Sequence, residues 1–518
     1  MTTPRWGETW PSLGEFRELA RDRRVIPVVR RLLGDDLTPI DIYRRLGADR
    51  PGTFILESAE FGGQWSRWSF VGVHSRATLT VDAVPGQARG RARWLGDVPA
   101  GIPTEGDVLA VLGAALDALH TPAIAGLPPL TGGFVGALGW DVLRHWEPTL
   151  RALAPEEINV PELSLCLATD VVAVDHVDAS VWLIANAINF DDSDERVDEA
   201  HADAVARLDA MEAALLEPRA SGAAVLDPDA PEPELRFRTR REDFLNAVLA
   251  AKEAIRDGEV FQVVLSQRLE LDCPADPLDV YRVLRTVNPS PYMYYVRLTD
   301  GAGGDFSVVG SSPETLVKVE GREVTTFPIA GSRPRGATPV ADKALADELL
   351  ADPKELAEHL MLVDLSRNDL AKVCRPETVE LVEFMAIKRY SHIMHITSTV
   401  VGHLRDDATA LGTLVATFPA GTLSGAPKPR AIELIDQLEP SRRGIYGGTV
   451  GYFDFAGNMD MAIAIRTALV RDGVAMVQAG GGLVADSVPE LEYQESRDKA
   501  AAAVRAVQIA ARLRPAGQ

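Results

Sequence analysis

The 518-residue chain has few cysteines, with only Cys166, Cys273 and Cys374, far apart in the sequence. An odd and scattered set excludes a disulfide framework and any CxxC metal motif. No apolar run is long enough to span a membrane, and the opening stretch MTTPRWGETWPSLGEF lacks the apolar core of a signal peptide. These absences predict a cytoplasmic protein.

Positive charge is also scarce. The chain has 53 lysines and arginines against 75 aspartates and glutamates, which leaves a net charge of -22. No block rich in lysine and arginine stands out, which argues against nucleic acid or an anionic membrane as a partner. Hydrophobic residues make up 46% and charged residues 25% of the chain, as in ordinary soluble globular proteins.

The clearest break in the chain is EPRASGAAVLDPDAPEPEL, residues 217–235, which has little periodicity and indicates a linker. We therefore predict an N-terminal domain over 1–230 and a C-terminal domain over 231–518. Both halves mix strand patterns, such as SVWLIANAI and VFQVVLSQRLEL, with helix patterns, such as VLAVLGAALDALH. Strands and helices do not alternate regularly, so an α+β fold with large antiparallel sheets is favoured over a doubly wound fold.

The stretch QAGGGLVADSVPELEYQESRDKA, residues 478–500, combines glycines with acids. The pattern predicts a glycine loop and then a helix capped by Ser487, with Glu492 and Glu495 on one face and Lys499 one turn further on. Such a loop commonly binds an anion. The carboxylates indicate that a metal ion mediates part of that binding.

A second acidic helix is predicted in ADPKELAEHLMLV, where Asp352 and Pro353 suit the helix start and Glu355 and Glu358 share a face. Two helices that each offer carboxylates can hold Mg2+, which uses few protein ligands and keeps positions open for substrate oxygens. The alternative is that these acids only form a solvated helix start.

Three further stretches carry polar groups. FPIAGSRPRG offers the backbone of Gly331 and the hydroxyl of Ser332, as a binding element or as a solvated loop. FPAGTLSGAPKPRAIELIDQLEP resembles a phosphate loop but lacks the GxxxxGK[ST] spacing. His392 and His395 are spaced for zinc, yet no cysteine or HExxH context supports a zinc site, and core histidines are the alternative.

Five motifs taken together resemble the chorismate-utilising enzymes. They are FPIAGSRPRG, DPKELAEHLMLVDLSRNDLAKV, GTLSGAPKPRAIELIDQLEP, YGGTVGYFDFAGNMDMAIAIRT and QAGGGLVADSVPELEYQESRDKA. Their order and approximate spacing, over roughly residues 240–510, are similar to those of that family. The resemblance implies antiparallel sheets packed as a sandwich and flanked by helices, chorismate as substrate, and a required Mg2+.

The resemblance also implies roles for individual residues. Glu358 and Glu495 match metal ligands, supported by Glu355 and Glu492. The chorismate contacts are Gly331, Ser332, Tyr446, Arg466, Gly480, Gly481, Gly482 and Lys499. Glu314, in SSPETLV, matches the general acid that protonates the leaving ring hydroxyl, which requires a raised pKa. His395 matches a histidine of the pyruvate elimination, and Thr422 lines the same site.

Two positions indicate the branch of the family. Members that add water carry a lysine base where this chain has Gln262, so the resemblance favours an ammonia-using enzyme. Aminodeoxychorismate synthases often have a lysine where this chain has Ala330, so the branch that makes anthranilate and pyruvate is favoured. Ser332 departs from the threonine common in the family, and we expect its retained hydroxyl to preserve binding.

Two elements resemble the walls of a tryptophan feedback site: Ser58 in ILESAE, and Pro291, Tyr292 and Met293 in NPSPYMYYV. Taken alone, they are an ordinary strand end and an ordinary turn. No cysteine lies in a GxCxG nucleophile setting, so the resemblance implies a separate glutamine amidotransferase subunit and a heterotetramer. The alternatives are an aminodeoxychorismate synthase component and a catalytically inactive tryptophan sensor.

Overall fold

The structure is a computed structural model that describes residues 4–48, 50–59, 66–82, 90–219, 221–389 and 393–517. His392, one of the two histidines considered for zinc, lies outside the described residues. The α-helices in the described ranges are α1 (Leu13–Leu19), α2 (Pro39–Leu46), α3 (Val108–Ala118), α4 (Val197–Leu216), α5 (Arg241–Arg256), α6 (Pro277–Val287), α7 (Pro339–Ala351), α8 (Pro353–Ala371), α9 (Ala410–Thr417), α10 (Lys428–Leu438) and α11 (Pro489–Ala510).

The strands in the same ranges are β1 (Thr9–Trp10), β2 (Val25–Leu33), β3 (Thr53–Glu57), β4 (Trp68–Asp82), β5 (Arg91–Gly96), β6 (Gly133–Leu138), β7 (Leu163–Asp175), β8 (Ser180–Ile188), β9 (Ala224–Leu226), β10 (Arg236–Phe237), β11 (Gln262–Asp272), β12 (Tyr292–Thr299), β13 (Asp305–Ser312), β14 (Thr315–Glu320), β15 (Glu323–Thr326), β16 (Ile329–Pro334), β17 (Glu380–Arg389), β18 (Ile393–His403), β19 (Gly425–Ala426), β20 (Thr449–Asp454), β21 (Met459–Ile463), β22 (Thr467–Arg471), β23 (Val474–Leu483) and β24 (Leu513–Pro515).

Antiparallel ladders connect these strands, and 22 of them form one hydrogen-bonded network. Strands that precede the predicted linker pair with strands that follow it, since β3 pairs with β12 and β6 with β20. The predicted α+β fold with large antiparallel sheets is confirmed. The predicted domain boundary near residue 230 stays a prediction.

The sheet is buried on both faces at β12. On β12, Met293 and Tyr295 belong to one hydrophobic cluster, while Tyr294 and Val296 belong to another. Successive side chains of a strand point to opposite faces, so this alternation places apolar layers on both sides of β12. No helix in the described part of the chain is long and apolar enough to cross a membrane.

Local sequence explains where α8 begins. The Asp352 carboxylate accepts hydrogen bonds from the backbone N–H groups of Lys354 and Glu355, and Pro353 occupies the first helical position, as predicted. The predicted cap of α11 is wrong, because Val488 is the residue that precedes that helix. The Ser487 hydroxyl accepts a hydrogen bond from the backbone N–H of Val484 at 3.1 Å and so closes the preceding turn instead.

The glycine run is a strand, and the predicted glycine loop is therefore wrong. Gly480, Gly481 and Gly482 lie in β23, opposite Ser266, Leu265 and Val264 of β11. A Cβ on Gly480 would collide with the backbone of β11, so the close approach of the two strands requires glycine there. Glycine has no side chain to show the alternation of a strand, which is why the pattern predicted a loop.

Candidate active site

Glu314 occupies the short connection between β13 and β14. Its carboxylate accepts a hydrogen bond of 2.9 Å from the Thr422 hydroxyl. Burial raises the pKa of Glu314 to about 7, although the Thr422 hydrogen bond and the positive charge of Lys499 act to lower it. A large fraction of Glu314 is therefore protonated near neutral pH, as a general acid must be.

His395 lies on β18, next to β16. Its Nδ1 lies 2.9 Å from the Gly331 carbonyl oxygen. A carbonyl only accepts, so Nδ1 carries the proton and Nε2 is the basic nitrogen of the neutral ring. Burial lowers the pKa of His395, and the charges of Arg466 and Lys499 lower it further, while the Gly331 contact raises it. The ring is therefore neutral at pH 7 and able to accept a proton.

Gly331 has φ +66 and lies where the register between β16 and β18 shifts. A Cβ at Gly331 would lie 2.9 Å from a carboxylate oxygen of Glu355, so glycine allows α8 to approach this strand. The neighbouring Ser332 is the register partner of His395, and its side chain is exposed.

The β23 glycines lie under side chains of α11. Lys499 Nζ donates to the Gly480 carbonyl at 3.1 Å and pairs with Glu495 at 2.7 Å. A Cβ at Gly481 would lie 3.3 Å from an oxygen of Glu492 and 3.3 Å from an oxygen of Glu495. The glycines therefore leave space directly below two carboxylates and an ammonium group.

Gln262, at the start of β11, lies against the last glycine of the run. A Cβ on Gly482 would collide with the Gln262 side-chain amide. Gln262 is 3% exposed, and its Oε1 has no hydrogen-bond partner among the described residues. An unpaired buried carbonyl oxygen is costly, so this atom is available to accept a hydrogen bond from a bound group.

Acidic side chains of α8 and α11 face one another. Burial raises the pKa of Glu358, and the nearby charges of Glu355 and Glu495 raise it further. Burial and the charge of Glu495 likewise raise the pKa of Glu492. One oxygen of Glu492 is buried without a hydrogen-bond partner in the described part of the chain. Such crowded carboxylates attract a cation.

The carboxylates of α8 and α11 are suited to an Mg2+ ion that is bound by few protein ligands. No group of three or more His, Cys, Asp or Glu side chains in the described ranges is arranged to hold a metal ion. The described side chains therefore do not surround a metal ion with protein ligands alone. Mg2+ commonly binds through one or two carboxylates and completes its shell with water and substrate oxygens. Glu358 and Glu495 suit that arrangement, with Glu355 and Glu492 beside them.

Arg466 supplies positive charge to the same space. Its backbone has φ +53, which is unusual for a residue other than glycine, and burial lowers the pKa of its guanidinium. Within the described ranges Arg466 forms no ion pair with an acidic side chain. Burial raises the pKa of the nearby Tyr446, which stays neutral. A guanidinium without a carboxylate partner suits a carboxylate of a substrate.

The structure thus brings together the predicted catalytic, substrate-binding and metal-binding residues from distant segments. They come from the β13–β14 connection, β11, β16, β18, β23, α8, α11, and the segments around Thr422, Tyr446 and Arg466. The predicted effector residues lie elsewhere. Ser58, Pro291, Tyr292 and Met293 line a separate cavity of about 550 Å3. The two predicted walls are neighbours, because Glu57 on β3 is the register partner of Met293 on β12.

Hydrogen bonds connect this second cavity with the segment that carries Glu314. The Tyr292 hydroxyl donates to Asp460 at 2.8 Å and accepts from the Thr315 hydroxyl at 2.9 Å. Thr315 directly follows Glu314, and together with Phe327 it lines both the second cavity and a small cavity at Glu314 and Thr422. The sequence analysis missed Asp460 and Thr315, since no local pattern marks either residue.

Glu57 belongs to the motif ILESAE, and in the structure its side chain forms an ion pair and a hydrogen bond. Its carboxylate is buried and pairs with Arg285 at 2.7 Å, and it accepts a hydrogen bond of 2.7 Å from the Tyr281 hydroxyl. Both partners lie on α6, which packs behind the cavity. Glu57 therefore anchors the wall that carries Ser58.

Comparisons with known proteins agree with this fold. The family model described as chorismate binding enzyme matches residues 86–505, which extends the resemblance into the first half of the chain. The chain is 57% identical over 505 residues to anthranilate synthase component 1 of Arthrobacter globiformis, covering 97% of this chain and 94% of that protein. It is 55% identical to the protein of the same name from Mycolicibacterium smegmatis, over 96% and 94%.

A solved structure shows the same architecture. The crystal structure of anthranilate synthase component I from Streptococcus pneumoniae TIGR4 superposes with a TM-score of 0.74 at 33% identity. The match covers 91% of this chain and 98% of that one. The fold is thus that of enzymes that use chorismate. The chain belongs to the chorismate-binding enzyme family, within which its curated relatives at 53–57% identity carry the name anthranilate synthase component 1.

Proposed function

We propose that the chain is the chorismate-binding component of an anthranilate synthase and converts chorismate and ammonia to anthranilate, pyruvate and water. The names of the relatives support this reaction. The observation that carries it is Glu314, a buried carboxyl with a pKa of about 7, placed beside Thr422 and within the field of Lys499.

The reaction has two stages. Ammonia adds to the chorismate ring while the ring hydroxyl leaves, and Glu314 donates the proton with which that hydroxyl departs as water. A base then removes a ring proton, pyruvate is eliminated, and the ring becomes aromatic. His395 suits the second stage, because its neutral ring has Nδ1–H directed at Gly331 and its basic Nε2 on the other side.

Binding of the substrate uses groups of opposite charge. Chorismate carries two carboxylates, and Arg466 and Lys499 are the cations that face the site. Glu358 and Glu495 would hold Mg2+, which neutralises a substrate carboxylate when bound. The backbone of the β23 glycines and of Gly331 would contact the ligand, and the missing side chain of Gly481 leaves the space beside Glu492 and Glu495 open.

Gln262 supports ammonia as the nucleophile. Its amide cannot act as a base towards water, whereas its unpaired Oε1 can accept a hydrogen bond from ammonia. Glutamine hydrolysis needs a reactive cysteine, but all three cysteines are buried and burial raises the pKa of each thiol to about 11. We therefore propose a glutamine amidotransferase partner, a heterotetramer, and action in the cytoplasm.

We also propose that tryptophan binds in the cavity lined by Ser58, Pro291, Tyr292 and Met293 and inhibits turnover. The cavity is large enough for an amino acid of that size and is walled by aromatic side chains. Tryptophan would then favour a state that binds chorismate poorly, and chorismate would weaken tryptophan binding by the same factor.

Ser58→Ala is expected to raise the tryptophan concentration needed for half-inhibition by about tenfold to a hundredfold, because one hydrogen bond to a charged ligand is lost. Inhibition curves of anthranilate formation measure this, with kcat unchanged without tryptophan. Ser221→Ala, an exposed serine outside the cavity, is the matched control. If Ser58→Ala is inhibited as strongly as the wild type, the effector site lies elsewhere.

The reaction itself is tested with the purified chain, chorismate, Mg2+ and either ammonium or glutamine. Anthranilate and pyruvate are expected in equal amounts with ammonium, and neither product with glutamine alone. A product that keeps the amino group without aromatisation would indicate an aminodeoxychorismate synthase. Unconsumed chorismate would contradict catalysis and favour an inactive sensor.

A further inference from the structure

Arg443 is a buried arginine between two of the five motifs, and it is 2% exposed. Its guanidinium pairs with Glu439 at 2.6 Å and donates to the carbonyl oxygens of Leu423 at 2.7 Å and Val264 at 2.8 Å. The guanidinium also stacks on the ring of Tyr446, with 5.4 Å between Cζ of Arg443 and the ring centroid. One side chain thus contacts four separate segments.

Three of those segments carry site residues. Leu423 follows Thr422, whose hydroxyl binds Glu314. Val264 lies two residues after Gln262 on β11 and is the register partner of Gly482. Tyr446 is itself a predicted substrate contact.

Glu439 extends the same arrangement. Its carboxylate is buried and accepts hydrogen bonds from the Ser266 backbone N–H at 2.9 Å and the Ser266 hydroxyl at 2.7 Å. Ser266 is the register partner of Gly480. The Arg443–Glu439 pair is therefore bound to β11 at two points, each opposite a glycine of β23.

A buried ion pair is weak evidence for stability, since apolar residues of similar volume often stabilise a core as well. Specific geometry is a better explanation when the pair spans several functional segments. We propose that Arg443 is a positioning residue that holds the Thr422 loop, β11 and Tyr446 in the arrangement needed for turnover. This inference rests on the proposed function for its kinetic consequences only.

Arg443→Lys is the first test. Lysine keeps the charge but has a single nitrogen, so it cannot bind Glu439, Leu423 and Val264 as the planar guanidinium does. We expect kcat to fall about a hundredfold, because small displacements of reacting groups cost roughly that factor. The alkaline limb of the kcat/KM profile should also move to higher pH, since Thr422 would no longer hold its hydrogen bond to Glu314.

Arg144→Lys is the matched control. Arg144 is equally buried, pairs with Asp141 at 2.8 Å and Asp436 at 2.8 Å, and donates to the Leu150 carbonyl, but none of these partners is a predicted site residue. We expect this variant to lower the melting temperature without moving the alkaline limb. If Arg443→Lys does not fold, Glu439→Gln supplies the second variant, because it weakens the same pair.

Hydrogen exchange gives a readout that does not depend on turnover. Amides of residues 418–426 should exchange faster in Arg443→Lys, or in Glu439→Gln, than in Arg144→Lys at equal distance below each melting temperature. Unchanged exchange there, or an unchanged kcat and pH limb in a folded variant, would overturn the inference. If the wild type makes no anthranilate, the proposed function fails, while the exchange result still decides the role of Arg443.

Discussion

Glu314→Gln is expected to lower kcat by about a thousandfold, the usual range for loss of a general acid. The amide has nearly the same shape and can still accept the Thr422 hydrogen bond, so the fold and chorismate binding should persist. Hydroxide would then have to leave without a proton donor. Steady-state kinetics measure the loss, and Glu320→Gln, an exposed glutamate at the end of β14, is the control.

The pH profile of kcat/KM tests the same assignment. Glu314 acts as an acid only when protonated, and burial raises its pKa to about 7. The value of kcat/KM should therefore fall as pH rises above about 7, approaching tenfold per pH unit, and Glu314→Gln should lack this limb. An alkaline limb that survives unchanged in Glu314→Gln would assign the acid to another residue.

Glu358→Gln and Glu495→Gln are each expected to abolish Mg2+-dependent turnover, because the metal retains too few carboxylate ligands. The fold should persist in Glu358→Gln. The charges of Glu355 and Glu495 raise the pKa of Glu358, which shows that the carboxylates repel one another. Removal of one negative charge should thus leave the melting temperature unchanged or higher, as thermal unfolding without metal would show.

The control for the metal variants is Glu490→Gln, which changes an exposed glutamate on the same helix, α11. Mn2+ binding followed by electron paramagnetic resonance, with chorismate present, separates metal binding from turnover. Both site variants should bind Mn2+ more weakly than Glu490→Gln does. Normal activity of either Glu358→Gln or Glu495→Gln would contradict a metal site between α8 and α11.

Elements whose signals are local could be predicted from the sequence. The start of α8 follows from Asp352 and Pro353, and β8 follows from its continuous apolar run. The Gly480–Gly482 strand could not be predicted, because its pairing with β11 depends on residues far away in the chain. Ser487 was misassigned as a cap because its hydroxyl has a competing backbone partner, Val484, in the preceding turn.

Candidate site residues could be predicted from the sequence where they lie in recognisable motifs. Two of the long motifs contain the predicted metal ligands Glu358 and Glu495, and the family resemblance suggested Glu314, in SSPETLV, and His395 before any geometry was known. Residues that support the site were not predictable. Arg443 is an example, because its sequence context is that of an ordinary surface arginine and its contacts come from four separate segments of the fold. Tyr292 itself was predicted as an effector residue, but its hydrogen bonds to Thr315 and Asp460 were not predictable, because they require three strands to meet.

The proposed reaction requires that ammonia, and not water, adds to chorismate at this site. The most direct test is one reaction with 15N-ammonium in 18O-water and Mg2+, followed by mass spectrometry of the aromatic or ring product. We expect anthranilate that carries one 15N and no 18O on the ring. A ring product that carries 18O and lacks 15N would contradict the proposed reaction.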